Sequence, residues 1–315
     1  ILEDCFTPYI RYEGSVITKE TPMFKFPEAA MRNHIFLPQD NYLDQAQFME
    51  WDKLAPAIME AGRNEEGQIL MPTMYWLPVL GVECSLLDLP EELPVTPEEM
   101  AASGNAVLEF ASFSEPMEVL GYFGVPADYE KEELTFTEDE YVELWQKLLK
   151  HRQASRSSYY APVINNGRFH ENVLSGFSEN VKLWGSGRQD YIVIPQRDRE
   201  GKVAATITGF LAVNANTPYP EEAFRVVDAL LGREAMKDRA IYVNGTTVYM
   251  DAPQEPPQVQ ALWDEIESVR FFSALEGEDY QQVEWLAYKQ ETTPEDIEKA
   301  ARNAYSTMKM MLAES

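Results

Sequence analysis

The residues of this chain with the clearest chemical potential are aromatic rings set beside polar or conformationally free neighbours. The sequence holds 6 Trp, 16 Tyr and 15 Phe. Such rings can stack on the apolar face of a small ligand whose polar groups meet a few fixed polar side chains. Four sets qualify. Tyr75 and Trp76 follow an apolar run over 68–73, and Pro78 just beyond them hinders continuation of a strand ladder. Ser112 and Phe113 close a second β-prone run over 105–113. Trp184 and Arg188 flank Gly185-Ser186-Gly187, which puts a ring and a guanidinium around flexible backbone. Thr208, Gly209 and Phe210 place a glycine between a hydroxyl and a ring, where a ligand could approach the main chain closely. Other rings read as packing: Trp145, Trp263 and Tyr305 fall on apolar helix stripes.

Covalent chemistry finds little support. The sequence contains no G-x-S-x-G, H-E-x-x-H, G-x-x-x-x-G-K-[ST] or G-x-G-x-x-G motif, so no cofactor is expected. Its acidic pairs (Glu65-Glu66, Glu91-Glu92, Glu98-Glu99, Glu132-Glu133) lie in turns or at helix starts, where solvated acids are ordinary. Two cysteines, Cys5 and Cys84, form neither a disulfide framework nor a zinc pattern, and their spacing requires no bridge. The three histidines are far apart, and His151 suits the C-terminus of a helix over 138–150. A net charge of −27 over 315 residues argues against nucleic acid and against docking on an anionic membrane through protein charge. No apolar run reaches the ~18 residues of a membrane span. The chain opens on Ile1 without a visible export segment and reads as a processed or trimmed product.

The elements that must position these residues alternate between strand and helix. Residues 205–213 form an apolar β-prone run that passes through Asn-Ala-Asn-Thr-Pro into a helix with Ala223, Phe224, Val226, Val227, Leu230 and Leu231 at helical spacing. Pro220 and Glu221-Glu222 sit in its first turn, which tolerates a missing N–H and favours negative charge. Thr96-Pro97-Glu98-Glu99 and Thr293-Pro294-Glu295-Asp296 are helix starts, and 191–195 is a short buried strand followed by a polar turn over 198–202. Val259, Leu262, Trp263, Ile266 and Val269 predict a helical stripe. The alternation indicates an α/β layered fold. Residues 1–25 are too weakly patterned to place.

Three stretches carry a resemblance: the strand, loop and helix over 204–231 with its "NANTPYPEEA"; the helix ending "EAG" at 60–62 followed by an acidic turn and strand; and the closing helix after "ETTPEDIEKA". Together they resemble the bacterial extracellular solute-binding proteins of the family-one type, the receptors of ABC sugar importers. The resemblance spans most of the chain and rests on loose patterns. It implies a type II, two-lobed periplasmic-binding-protein-like clam-shell, with residues 1–79 and 205–256 in lobe 1 and residues 80–204 and 257–315 in lobe 2. It also puts Tyr75, Trp76 and Phe210 in the ligand cleft. Two departures stand out. The family's Pro-x-Thr-Trp-x-Glu falls around Thr96-Pro97-Glu98-Glu99, where this chain lacks the Trp, and 1–25 do not resemble the family's first strand–helix–strand unit. The first lobe is therefore expected to be incomplete or irregular.

The functional expectation from this resemblance is a monomeric, non-catalytic receptor that binds a carbohydrate or other small solute and hands it to an ABC permease. It would work outside the cytoplasm, tethered by a lipid on a segment ahead of Ile1. A scaffold of the same fold without a ligand site is the alternative, and a secreted carbohydrate-acting enzyme ranks third.

Overall fold

The computed structural model describes residues 1–5, 12–13, 16–17, 23–83, 94, 96–105, 108–109, 112, 119–157, 173–177, 191–237, 245–251, 260–287, 289 and 291–315. Its organising strand is β12 (Val203–Leu211), in which all 9 residues are buried. The segment VAATITGFL carries no charge and is rich in small and β-branched residues, as suits a strand covered on both faces. Beside it run β14 (Ile266–Phe271), parallel, and β6 (Met71–Trp76), antiparallel, with β13 (Thr246–Thr247) beyond β6. The N-terminus completes this sheet. β1 (Leu2–Asp4) pairs antiparallel with β12, Leu2 opposite Leu211 and Asp4 opposite Gly209, and the Cys5 N–H donates to the Thr208 carbonyl at 2.9 Å.

The chain leaves this sheet abruptly. Leu77 alone separates β6 from β7 (Pro78–Glu83), which belongs to a second sheet between β10 (Val173–Phe177) and β11 (Tyr191–Pro195). It returns through the turn that joins β11 to β12. There Asp198 Oδ1 accepts the N–H groups of Glu200 and Lys202 at 2.9 and 3.0 Å, as expected for a polar turn.

Two hydrophobic cores follow from this layout. The first gathers Ile58, Ile69, Leu70, Ile207, Phe210, Leu231 and Phe271 around the larger sheet. The second, built on helices, gathers Leu120, Tyr141, Trp145, Leu275, Ile297, Met308 and Leu312. Its main helices are α6 (Glu138–Ser157), α8 (Ala274–Asp279) and α9 (Pro294–Ala313). Between the cores lies α1 (Pro27–Arg32), with Ala29 in the second core and Ala30 and Met31 in the first. The expected helix starts at Thr96 and Thr293 are full capping boxes, closed by Glu99 and Asp296. The amphipathic helix after β12 is α7 (Pro220–Leu231).

Three expectations give way. The stripe at 262–269 is a 3₁₀ turn (Trp263–Glu265) followed by strand β14, which joins the larger sheet beside β12. This brings Leu262, Trp263, Ile266, Phe271 and Phe272 into the first core, beyond the boundary expected at 256. The β-prone run at 105–113 is helical at Leu108, Glu109 and Ser112. The Asn105 side chain accepts the Leu108 N–H at 3.3 Å, so a polar cap overrides local β propensity. His151 lies inside α6 rather than at its C-terminus. Residues 1–25, unplaced from their pattern, contribute β1 to the larger sheet and a small hairpin of β2 (Tyr12–Glu13) and β3 (Val16–Ile17).

Candidate functional site

Tyr75 and Trp76 are the last two residues of β6 before the chain crosses to the second sheet. Tyr75 lies opposite Thr246 of β13. Trp76 meets the ring of Phe272 edge to face, with centroids 5.6 Å apart. That contact joins the ends of β6 and β14, the two strands from which the chain leaves the larger sheet. Both β6 residues are buried, Tyr75 at 1% and Trp76 at 5% exposure. Thr208 is fully buried as well.

Phe210 is a correction. Its ring is inaccessible and sits against Phe36 and Phe271 at centroid distances of 6.2 and 5.8 Å, with Phe24 at 6.3 Å. A ring enclosed on these sides is core and offers no stacking face. Gly209 also has a packing explanation. A Cβ there would lie 2.5 Å from Met74 Cε and 3.0 Å from Thr73 Oγ1, so glycine is needed for β12 to approach β6. Ser112 ends no strand. It is buried on a helical turn, its hydroxyl donating to the Glu109 carbonyl at 2.6 Å. Phe113, Trp184, Arg188 and Cys84 lie outside the described residues, whereas Cys5 is a buried free thiol. The structure therefore brings Tyr75, Trp76, Thr208, Gly209 and Phe210 onto adjoining strands and leaves Ser112 apart from them.

Beside the crossing is a polar set that the sequence reading missed. The Arg270 side chain on β14 is 1% exposed and its Nε lies 3.1 Å from Glu276 Oε1 on α8. Glu276 Oε2 accepts the Ser273 N–H at 2.8 Å and its hydroxyl at 2.6 Å, forming a capping box at the start of α8. From α1, Glu28 Oε1 accepts the Phe271 N–H at 3.0 Å. Its Oε2 is buried without a well-formed hydrogen bond, although the Tyr129 hydroxyl neighbours the carboxyl. Burial pushes the Glu28 carboxyl up to about 7, outweighing the Phe271 hydrogen bond. The Cys5 thiol is pushed up by burial first and by surrounding carboxylates second. Only part of this set has a sequence signal: Ser273-Ala-Leu-Glu276 is a capping box spelled out after Phe271-Phe272. Glu28 reads as an ordinary first-turn acid, since its partner is 243 residues away. Among the described residues no group of three or more His, Cys, Asp or Glu is arranged to hold a metal ion, and no helix is long and apolar enough to cross a membrane.

No family model and no curated protein matches this sequence. Solved structures do match its fold. The extracellular solute-binding protein family 1 from Alicyclobacillus acidocaldarius subsp. acidocaldarius DSM 446 superposes with a TM-score of 0.56 at 13% identity, covering 91% of this chain and 82% of that one. Maltose-bound MalE3 of T. maritima gives a TM-score of 0.54 at 16% identity, with the same shares of 91% and 82%. A sugar transporter from Arthrobacter chlorophenolicus A6 with bound laminaribiose gives 0.52 at 15% identity, covering 92% of this chain and 83% of that one. A de novo designed cysteine esterase also superposes, with a TM-score of 0.54 at 10% identity. The likeness establishes the fold: two lobes, each with its own core, in the arrangement of the family-one extracellular solute-binding proteins.

Proposed function

We propose that this chain is a non-catalytic extracellular receptor that binds a carbohydrate between its lobes and delivers it to an ABC permease. The observation carrying the reading is the position of Tyr75 and Trp76, adjacent rings at the crossing between two sheets, in a fold shared with proteins solved with maltose and laminaribiose. Rings at such a crossing can stack on a sugar, and Thr208 supplies a hydroxyl on the adjoining strand. Both rings are packed in the first core together with Phe272, so binding by this route requires a local rearrangement that frees a face. A lipid attached ahead of Ile1 would keep a monomeric receptor near its permease.

The burial of Tyr75 and Trp76 and the enclosure of Phe210 also favour a second reading, a scaffold that keeps the fold and has no ligand site. Titration calorimetry against maltose, laminaribiose and mannobiose separates the two. Saturable heat that weakens in Trp76→Ala supports the receptor. Absence of binding across a wider sugar panel favours the scaffold, and turnover of a chromogenic glycoside would overturn both.

A further inference from the structure

We propose that Glu28 is a proton-operated latch between the two lobes, holding the seam together when neutral and driving it apart when ionised. The placement is specific. Glu28 is carried by the helix that packs into both cores, and its carboxyl accepts an N–H from Phe271, the last residue of a strand in the larger sheet. The other groups around it come from several elements. Arg270 of β14, next to Phe271 in sequence, is engaged by Glu276 of α8. The Tyr129 hydroxyl approaches from the stretch between β8 (Ala127–Asp128) and β9 (Glu133–Leu134). The N-terminal segment brings the Cys5 thiol, with Glu3 and Asp4 behind it. On its own helix, Arg32 donates to the Tyr129 carbonyl. Among the described groups no cation pairs with Glu28, so an ionised carboxylate here is a buried, uncompensated charge facing further acids.

Parting the seam returns the carboxyl to water. Its pKa then falls from about 7 toward the ordinary 4.5, so ionisation and separation favour each other. Each pH unit across that interval shifts the ratio of joined to parted forms about tenfold, roughly 300-fold in all. The latch needs no solute, and its test is independent of the function proposed above.

The experiment is small-angle X-ray scattering of the ligand-free protein from about pH 4.5 to about pH 8.5, combined with amide exchange of the β14–α8 segment, corrected for the intrinsic rate. The expected result is expansion and faster exchange with a midpoint below 7 and a plateau above it, both abolished in Glu28→Gln. Tyr129→Phe removes a hydroxyl that favours the charged form and should move the midpoint upward. Invariant scattering and exchange in the natural protein would overturn the latch, as would an undiminished transition in Glu28→Gln. Should Glu28→Gln fail to fold, an unmoved midpoint in Tyr129→Phe overturns it instead.

Discussion

Asp279 on α8 offers a direct measure of how burial governs this protein's response to pH. The residue is 5% exposed, and its Oδ1 accepts Trp145 Nε1 at 2.8 Å together with the Tyr141 hydroxyl. Burial pushes its carboxyl up to about 8, the two donors offset part of that rise, and Glu284 and Glu276 add to it. The native protein therefore holds a proton that the unfolded chain, titrating near 3.8, releases. Stability from this site is fully present below that lower value and is lost as pH rises toward the upper one. The slope is about 1.4 kcal/mol per pH unit, so on the order of 3 kcal/mol disappears between about pH 5 and about pH 7.5. Asp279→Asn keeps an oxygen for both donors and removes the titration. Urea unfolding of both proteins across that range should show the variant gaining about 1.4 kcal/mol on the natural protein for each pH unit. Repulsion within the net charge of −27 acts on both proteins nearly alike and cancels in the difference. Parallel pH profiles would refute the assignment of a buried, protonated Asp279.

Three further outcomes are expected. Trp145→Ala, which empties the centre of the second core, should cost about 3–5 kcal/mol in urea unfolding; under the receptor reading it should leave sugar affinity unchanged, whereas Trp76→Ala should weaken affinity. Asp228 on α7 accepts N–H groups from Gln47, Phe48 and Met49, so Asp228→Ala should destabilise by about 3 kcal/mol and speed amide exchange at those three positions. At Gly62 an added Cβ would lie 2.2 Å from the Leu70 carbonyl oxygen, part of the backbone. Gly62→Ala should therefore lose about 3 kcal/mol or more in the same assay, since no side chain can move aside.

The parts of the fold legible in the sequence are those whose cause is local. β12 and α7 declare themselves through an uncharged run, a proline at the helix start and a single apolar face. The capping boxes at Thr96 and Thr293 spell out their own hydrogen bonds. Pro78 marks the place where a continuous apolar run divides between two sheets. β14 was hidden because its inward positions include Ser268 and Arg270. Polar residues at buried positions erase the alternation that identifies a strand, and Arg270 is tolerated inside only because Glu276 meets it. The candidate site was less legible for a related reason. A ring at a strand end has the same spacing whether it faces solvent or core. Phe210 is enclosed by Phe24, Phe36 and Phe271, rings scattered along the chain, and no local pattern announces them. β1 has 3 residues, too few for any period to register.

The single-residue passage at Leu77 has a consequence for how the protein is made. Because β6 and β7 lie in different sheets, and β11 leads back into β12, neither core is drawn from one continuous stretch of chain. The larger sheet lacks β14 until residue 271 has been synthesised, and the helical core lacks α9 until residue 313 has been. A ribosome-bound intermediate ending before these points has long-range pairings still to make and apolar faces still uncovered. The larger sheet must therefore await β14 and the helical core must await α9, so neither half can fold as its earlier segments emerge.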